Sequence, residues 1–368
     1  MTTTSARRVL LTSVGTGVGN AALTALHRSA AAYRPIATNT EPFHSGVFRS
    51  DVCYVAPRVD REPDAWADLV LKIVEAERVQ LVFPCRDAEI VPVARLRERF
   101  RRAGAEVAVP GPAIAAACVD KLATDRLLRD LGLSTPVTAA ADDMAGSDEV
   151  IRTGFPVIVK PRLGTGTVGV RLVRTEDDLT SLLLRLGGSA KDWVVQEYLP
   201  IEGPQHSVTE YTELAQDREY SIQILYGADG RSRVWMSTIN TLENGLPVAV
   251  RFDRSAPTIA AVEGLPCPVP GMVGPLNLQA RLRAADLVFF EANTRLTGLT
   301  GARTLFGLNE VDVLWELLVE GREPADVEFR PDICVYRHLE DATFPVGALR
   351  TLTESGRWRQ PTSEGAPE

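Results

Sequence analysis

Between residues 7 and 111, short apolar segments alternate with longer amphipathic ones, and this alternation limits the possible folds more than any other feature. RRVLLTSVGTGVGN at 7–20 reads as a strand, a glycine loop and the start of a helix that continues through AALTALHRSAAA. YRPIATNTEP follows as a second strand, ending at Thr40 and Glu41. Residues 64–79 repeat apolar positions at helical spacing, with Trp66, Leu69, Val70, Ile73 and Val74 on one stripe. QLVFP at 80–84 predicts a strand, 88–103 a helix and EVAVPG at 106–111 another strand. Strands joined by helices of this length run parallel, with the helices covering the faces of the sheet. The first 111 residues therefore predict an α/β, Rossmann-like domain.

Beyond residue 112 the pattern changes. PAIAAACVDKLATDRLLRDLGLSTP predicts a helix with Lys121 inside it, and AAADDMAGSD at 139–148 a loop. VIVKPRLGTGTVGV then gives a β-branched run ending on Lys160, a tip carrying Gly164, Gly166 and Gly169, and a second apolar run from Val170 to Val173. That is a β-hairpin with a glycine-rich tip. Its backbone N–H groups could lie against phosphate oxygens with Lys160 adding charge, or the stretch is an ordinary flexible hairpin. A helix at 176–186 and a strand at 193–199 follow. EYSIQILY at 219–226 and SRVWMSTI at 232–239 pair across GADGR as a second hairpin. Residues 240–275 are poorly periodic and predict surface loops, with Arg251, Asp253 and Arg254 either substrate-facing or solvated. A helix at 309–321 and a strand at 333–339 come next. The last dozen residues, RQPTSEGAPE included, are expected to form a disordered tail.

Composition excludes several classes. A net charge of −8 argues against a nucleic-acid partner. No apolar run approaches the roughly 20 residues that span a bilayer, so no membrane association is expected. The apolar run near the N-terminus enters a glycine loop rather than a cleavage site, which predicts a buried strand and not a leader. Five dispersed cysteines with no C-x-x-C pair make a disulfide framework or cysteine zinc site improbable and suit the cytoplasm. Only four lysines occur, Lys72, Lys121, Lys160 and Lys191, so the place of each is informative.

Two further constellations carry chemistry. Gly15, Gly17 and Gly19 with Glu41 suggest an NAD site of an oxidoreductase, but Asn20 stands where a third fingerprint glycine belongs. The loop otherwise only turns the chain. Near the end, LNLQARL at 276–282 faces DLVFFEAN at 286–293 across a short turn. Asn277 and Gln279 share one face of their strand, as do Glu291 and Asn293 of theirs. Gln279, Glu291 and Asn293 could give oxygens to magnesium, with Arg295 holding an anion; alternatively Glu291 and Arg295 form a surface ion pair.

Taken in order, VDKLATDRLLRDLGLSTP, VIVKPRLGTGTVGV, VVQEYLPIEG, REYSIQIL, LNLQARL and FFEANTRLTG resemble the ATP-grasp superfamily of carboxylate–amine ligases, over roughly residues 8–320. The resemblance implies an N-terminal pre-ATP-grasp domain over 1–111 and an ATP-grasp fold with antiparallel sheets. Its small and central part would span 112–196 and its C-terminal part 197–340, with 341–368 as an extension. Lys121 and Lys160 would contact ATP, and the loop Gly164, Thr165, Gly166, Thr167 and Gly169 would close over the phosphates. Glu197, Tyr198 and Leu199 would face adenine from the hinge, and Glu219 would lie near the ribose. Gln279, Glu291 and Asn293 would hold Mg²⁺, with Mn²⁺ as a substitute, and Arg295 would steady an acyl phosphate. The implied activity joins a small-molecule carboxylate to an amine, with a homodimer as the family-level expectation. A non-catalytic ATP-binding protein is the other ATP-based alternative. Gln279, where many members carry an acid, and the threonines of NTRLTGLTG depart from the usual pattern. So does the length of the segment 200–218, a candidate lid containing His206.

Overall fold

A computed structural model describes residues 6–164, 168–200, 216–243, 246–338, 341 and 343–360. Five parallel strands open the chain: β1 (Arg7–Leu11), β2 (Tyr33–Asn39), β3 (Val52–Val55), β4 (Leu81–Phe83) and β5 (Glu106–Val107), in spatial order 3-2-1-4-5. Successive side chains of a strand leave opposite faces. Val9 and Leu11 accordingly enter a core shared with helices Gly17–Arg28 and Glu310–Leu318. Leu10 enters a second core beneath helices Pro63–Glu77 and Asp87–Arg95. Covering both faces is what a parallel sheet requires.

Four strands, β6 (Thr138–Ala140), β7 (Val157–Pro161), β8 (Arg171–Val173) and β9 (Trp193–Glu197), make a small antiparallel sheet in order 6-9-7-8. Here β7 and β8 are the two arms of the glycine-tipped hairpin, with Val157 opposite Val173. A third sheet contains β10 (Gln216–Tyr226), β11 (Ser232–Glu243), β12 (Leu246–Asp253), β13 (Gly274–Arg283), β14 (Asp286–Asn293) and β15 (Cys334–Tyr336). Its order is 14-13-10-11-12-15 and all its pairings are antiparallel. One face buries Ile222, Ile224, Leu276, Leu278 and Phe289 against Leu128 of helix Lys121–Asp130. Strand alternation sends Glu219, Ser221, Gln223, Asn277 and Gln279 to the other face, which is polar. That polar face supports the site described below.

Several sequence expectations are corrected. Residues 240–275 are not merely loops, for they contain β12 and helix Ala256–Glu263. Pro247 blurs the strand pattern, and β12 is defined by its pairing with β11 rather than by local periodicity. Asp253 is buried at the end of β12, where it accepts from the Ser255 N–H and the Thr258 hydroxyl. Arg254 stacks 3.8 Å above the Trp235 ring. The long helix expected after residue 112 is two helices, Pro112–Val119 and Lys121–Asp130, because Asp120 turns extended and caps the second. Lys121 therefore opens a helix instead of lying within one. Segment β3 was not anticipated, being short and only partly apolar.

The expected tail is also partly ordered. Arg357–Arg359 form β16, which pairs antiparallel with β3 and closes the edge of the first sheet. Residues 361–368 lie outside the described residues. The buried Glu77 carboxylate holds this closure by accepting from the Tyr54 hydroxyl (2.6 Å), Arg357 (2.8 Å) and Arg359 (2.7 Å). Glu77→Ala is expected to lower stability by about 1–3 kcal/mol, since charged hydrogen bonds to one buried acceptor are lost together. Urea unfolding measures it, and an unchanged midpoint would show that β16 is held by other contacts.

Candidate functional site

Two open cavities meet at Lys121, Gly164, Phe290 and Glu291. The first lies between the small sheet and the ends of β13 and β14, lined by Lys160, Gln196, Tyr198, Leu199 and Arg281. The second runs from the same junction toward the first sheet and is lined by Asp60, Arg86, Asp87, Val91 and Leu163.

Lys160 is the last buried residue of β7, one before its end at Pro161, and only 8% of it is exposed. Its Nζ donates to the Gln196 side-chain oxygen at 2.8 Å. Burial pulls its pKa down to about 8, against the supporting charge of Glu291, while Lys121 and Arg281 push it further down. A buried cation crowded by two others is electrostatically suited to meeting an anion. Lys121 stands across the junction, and its Nζ donates to the Gly164 carbonyl at 2.8 Å. Burial lowers its pKa as well, while Glu291 and Asp87 oppose the shift. Arg162, beside the hairpin tip, makes a two-point ion pair with Asp120, so the tip is tied to the helix that Lys121 begins.

The ladder predicted on β13 and β14 is present. Asn277 lies opposite Asn293 and Gln279 opposite Glu291, after which a bulge leaves Phe290 without a partner. Asn293 Nδ2 donates to Glu291 Oε1 at 3.0 Å. Glu291 does not pair with Arg295. Instead Arg295 forms a two-point pair with Asp87 (2.9 Å for Nη2–Oδ2) and gives Nη1 to the Leu296 carbonyl. Glu219 is buried on the same polar face, and burial pushes its carboxyl up to about 7 even though Arg281 opposes the shift. The Glu197 carboxylate accepts from the Val137 N–H and from Arg283, so it anchors the hinge by its edges. Tyr198 and Leu199 line the first cavity. Thr165, Gly166, Thr167 and His206 lie outside the described residues, and only the ends of the hairpin tip are placed.

Arg281 was missed by the sequence reading. It is buried, donates to the Leu199 carbonyl at 2.7 Å and lies 5.8 Å from the Phe290 ring centroid. Its place two residues beyond Gln279 on the same strand was the available signal. Asp87 and Gln196 were missed too, and nothing local distinguishes them.

The N-terminal glycine loop is occupied by packing. Thr16 caps helix Gly17–Arg28 by accepting from the Gly19 N–H, and the Gly15 N–H goes to Asn39. A Cβ on Gly19 would stand 2.6 Å from the Val14 backbone, so that glycine is required for close helix–strand contact. Glu41 is exposed. Behind the loop, the Thr12 and Ser13 hydroxyls both donate to the buried Glu89 carboxylate, on the helix that carries Asp87.

Comparison with known proteins agrees with this geometry. Residues 9–108 match the PylC-like, N-terminal domain, and residues 118–299 match the ATP-grasp domain. Residues 118–299 therefore carry an ATP-grasp domain. A D-alanine–D-alanine ligase of Bacillus anthracis is 32% identical over 84 residues, which is 22% of this chain and 28% of that protein. The curated relatives are thus matched over less than a third of their length. Among solved structures, N5-carboxyaminoimidazole ribonucleotide synthetase from Thermus thermophilus superposes with a TM-score of 0.62 at 17% identity, covering 87% of this chain and 79% of that one. An L-amino acid ligase from Bacillus licheniformis gives 0.63 at 15% identity, covering 89% and 78%. At such identities the likeness establishes the fold: α/β with a parallel N-terminal sheet, then antiparallel ATP-grasp sheets. Among the described residues no helix is long and apolar enough to cross a membrane.

Proposed function

We propose that this chain is an ATP-dependent ligase that activates a small-molecule carboxylate as an acyl phosphate and joins it to an amine. The observation that carries this reading is the junction itself: two of the four lysines and Glu291 converge where one cleft opens into a second. ATP would occupy the first cavity, with its base against Tyr198 and Leu199 and its phosphates toward Lys160, Lys121 and the hairpin tip. The carboxylate and the amine would enter through the second.

Glu291, Asn293 and Gln279 fit a magnesium ion held chiefly by nucleotide phosphates. They supply one carboxylate and two amides, all oxygen donors, and no cage of three or more His, Cys, Asp or Glu side chains occurs among the described residues. Bound there, magnesium or manganese would neutralise phosphate charge. Lys160 and Lys121 would offset the negative charge of the transferred group, and the reaction needs little beyond positioning. For Arg295 to steady the acyl phosphate, that anion would have to compete with Asp87. The relatives' names, D-alanine–D-alanine ligase and L-amino acid ligase, favour amide or peptide bond formation. Five unpaired cysteines suit a reducing cytosol, and a homodimer remains the family-level expectation.

The test is ADP release from a panel of carboxylates with hydroxylamine as the amine. The parent protein is expected to yield ADP together with a hydroxamate. Glu291→Ala should lower both by roughly a hundredfold or more while circular dichroism stays unchanged. Undiminished turnover in that variant would defeat the proposal. The NAD alternative is disfavoured by the ATP-grasp match over residues 118–299 and by Asn20 at the third fingerprint position.

A further inference from the structure

The second cavity holds one cation that the proposed chemistry does not use. Arg86 follows β4 and precedes helix Asp87–Arg95, so it stands at the carboxyl end of a parallel strand, where open α/β sheets present ligand-facing groups. The other charges around the cavity are committed. Asp87 holds Arg295, Lys121 holds the Gly164 carbonyl, and Asp60 takes Arg58 in a two-point pair at 3.1 and 2.6 Å. Arg86 reaches no closer than 4.0 Å to Asp60, and among the described residues its guanidinium makes no hydrogen bond. Its side chain is one-third exposed, at 34%. Arg58 and Arg86 both face Asp60, and the buried Glu89 also attracts Arg86 without a hydrogen bond, so the Arg86 guanidinium keeps its donors for a ligand. The walls between Arg86 and Glu291 are apolar, built from Val91, Cys118, Val119 and Leu163.

We propose that Arg86 is the anion anchor of the second cavity, so that the substrate bound there carries, besides its reacting group, a carboxylate or phosphate monoester on an apolar body. This deepens the ligase reading of the same site and rests on it. A planar guanidinium with unspent donors meets either anion in a two-point fork, which an ammonium cannot do. The apolar walls would take the body of the molecule and direct its other end to the junction at Glu291.

The test uses the full chain and three matched probes: 3-methylbutanoate, 3-methylbutyl phosphate and the neutral 3-methylbutanamide. Binding of each is followed by thermal shift and ligand-observed NMR, with and without magnesium and a non-hydrolysable ATP analogue. One of the two anions should bind and the amide should not, and the tighter anion identifies the source chemistry. Arg86→Gln should weaken that anion roughly tenfold or more, and Arg86→Lys by less, with the shift from the ATP analogue intact in both. Equal anion binding in the parent and in both variants, or no preference for anion over amide, would overturn the inference. A missing nucleotide shift alongside Arg86-dependent anion binding would instead count against the ligase reading alone.

Discussion

Replacing Lys160 by methionine is expected to abolish ADP formation without destabilising the protein. The side chain is buried, has Gln196 as its hydrogen-bond partner, and sits near Lys121 and Arg281, so its charge opposes folding until an anion arrives. Moving a lysine from its ordinary value to about 8 corresponds to about 3 kcal/mol at most. Methionine fills a similar volume without that charge, so the unfolding midpoint should stay level or rise. The sign can be read independently from pH. Between about pH 8 and pH 10.5 the unfolded chain keeps a proton that folded Lys160 has released, so raising pH through this window favours folding. Stability of the parent should therefore gain across that window, and the methionine variant should lack the gain. Under the proposed function, nucleotide affinity should move the opposite way, falling above about pH 8 as the ammonium that would meet the phosphates is lost. A variant that still released ADP at the parental rate would remove Lys160 from the site.

The largest loss of stability is expected from Arg303→Met. Arg303 and Glu310 are both wholly buried and paired at 2.9 Å. Arg303 also donates to Thr297 and to Ser221, and Ser221 in turn accepts from Asn277. Removing the arginine alone strands a carboxylate in the interior, where burial already pushes its pKa up and Arg303 is what restrains it. Breaking such a pair costs about 3–5 kcal/mol, whereas replacing both partners by apolar groups can be close to neutral. Chemical unfolding of Arg303→Met, Glu310→Leu and the double variant tests this. A single-variant loss under about 1 kcal/mol, the size of an ordinary substitution, would show that water relaxes the site. Because Asn277 lies one cross-strand pair from Gln279 and Glu291, the double variant should also report whether this network helps hold the ladder.

What was legible in the sequence had local causes. The hairpin of β7 and β8, the turn between β10 and β11, and the facing of Gln279 and Glu291 all follow from strand alternation and turn residues close in sequence. What was not legible depended on distant partners. Arg295 could have met Glu291 four residues back, but the fold brings Asp87 to it from more than 200 residues away. Asp120 carried no sign that it would break a helix, because the pairing that fixes it comes from Arg162 on the hairpin tip. Arg254 resembled a solvated charge until β11 placed Trp235 beneath it. β12 was hidden by its proline, and β16 by being three residues long.

That last strand sets the order in which the molecule can be finished. On a ribosome the other strands of the first sheet emerge early, yet the edge at β3 stays open until Arg357 has cleared the exit tunnel, 250 residues after Val107. During that interval the nascent sheet presents an unpaired border, the kind of surface on which strands of other chains can add. A product cut short by only a few residues near Trp358 would keep the junction of Lys121, Lys160 and Glu291 but carry that open border permanently. Premature termination should therefore show itself as self-association before it shows as lost chemistry.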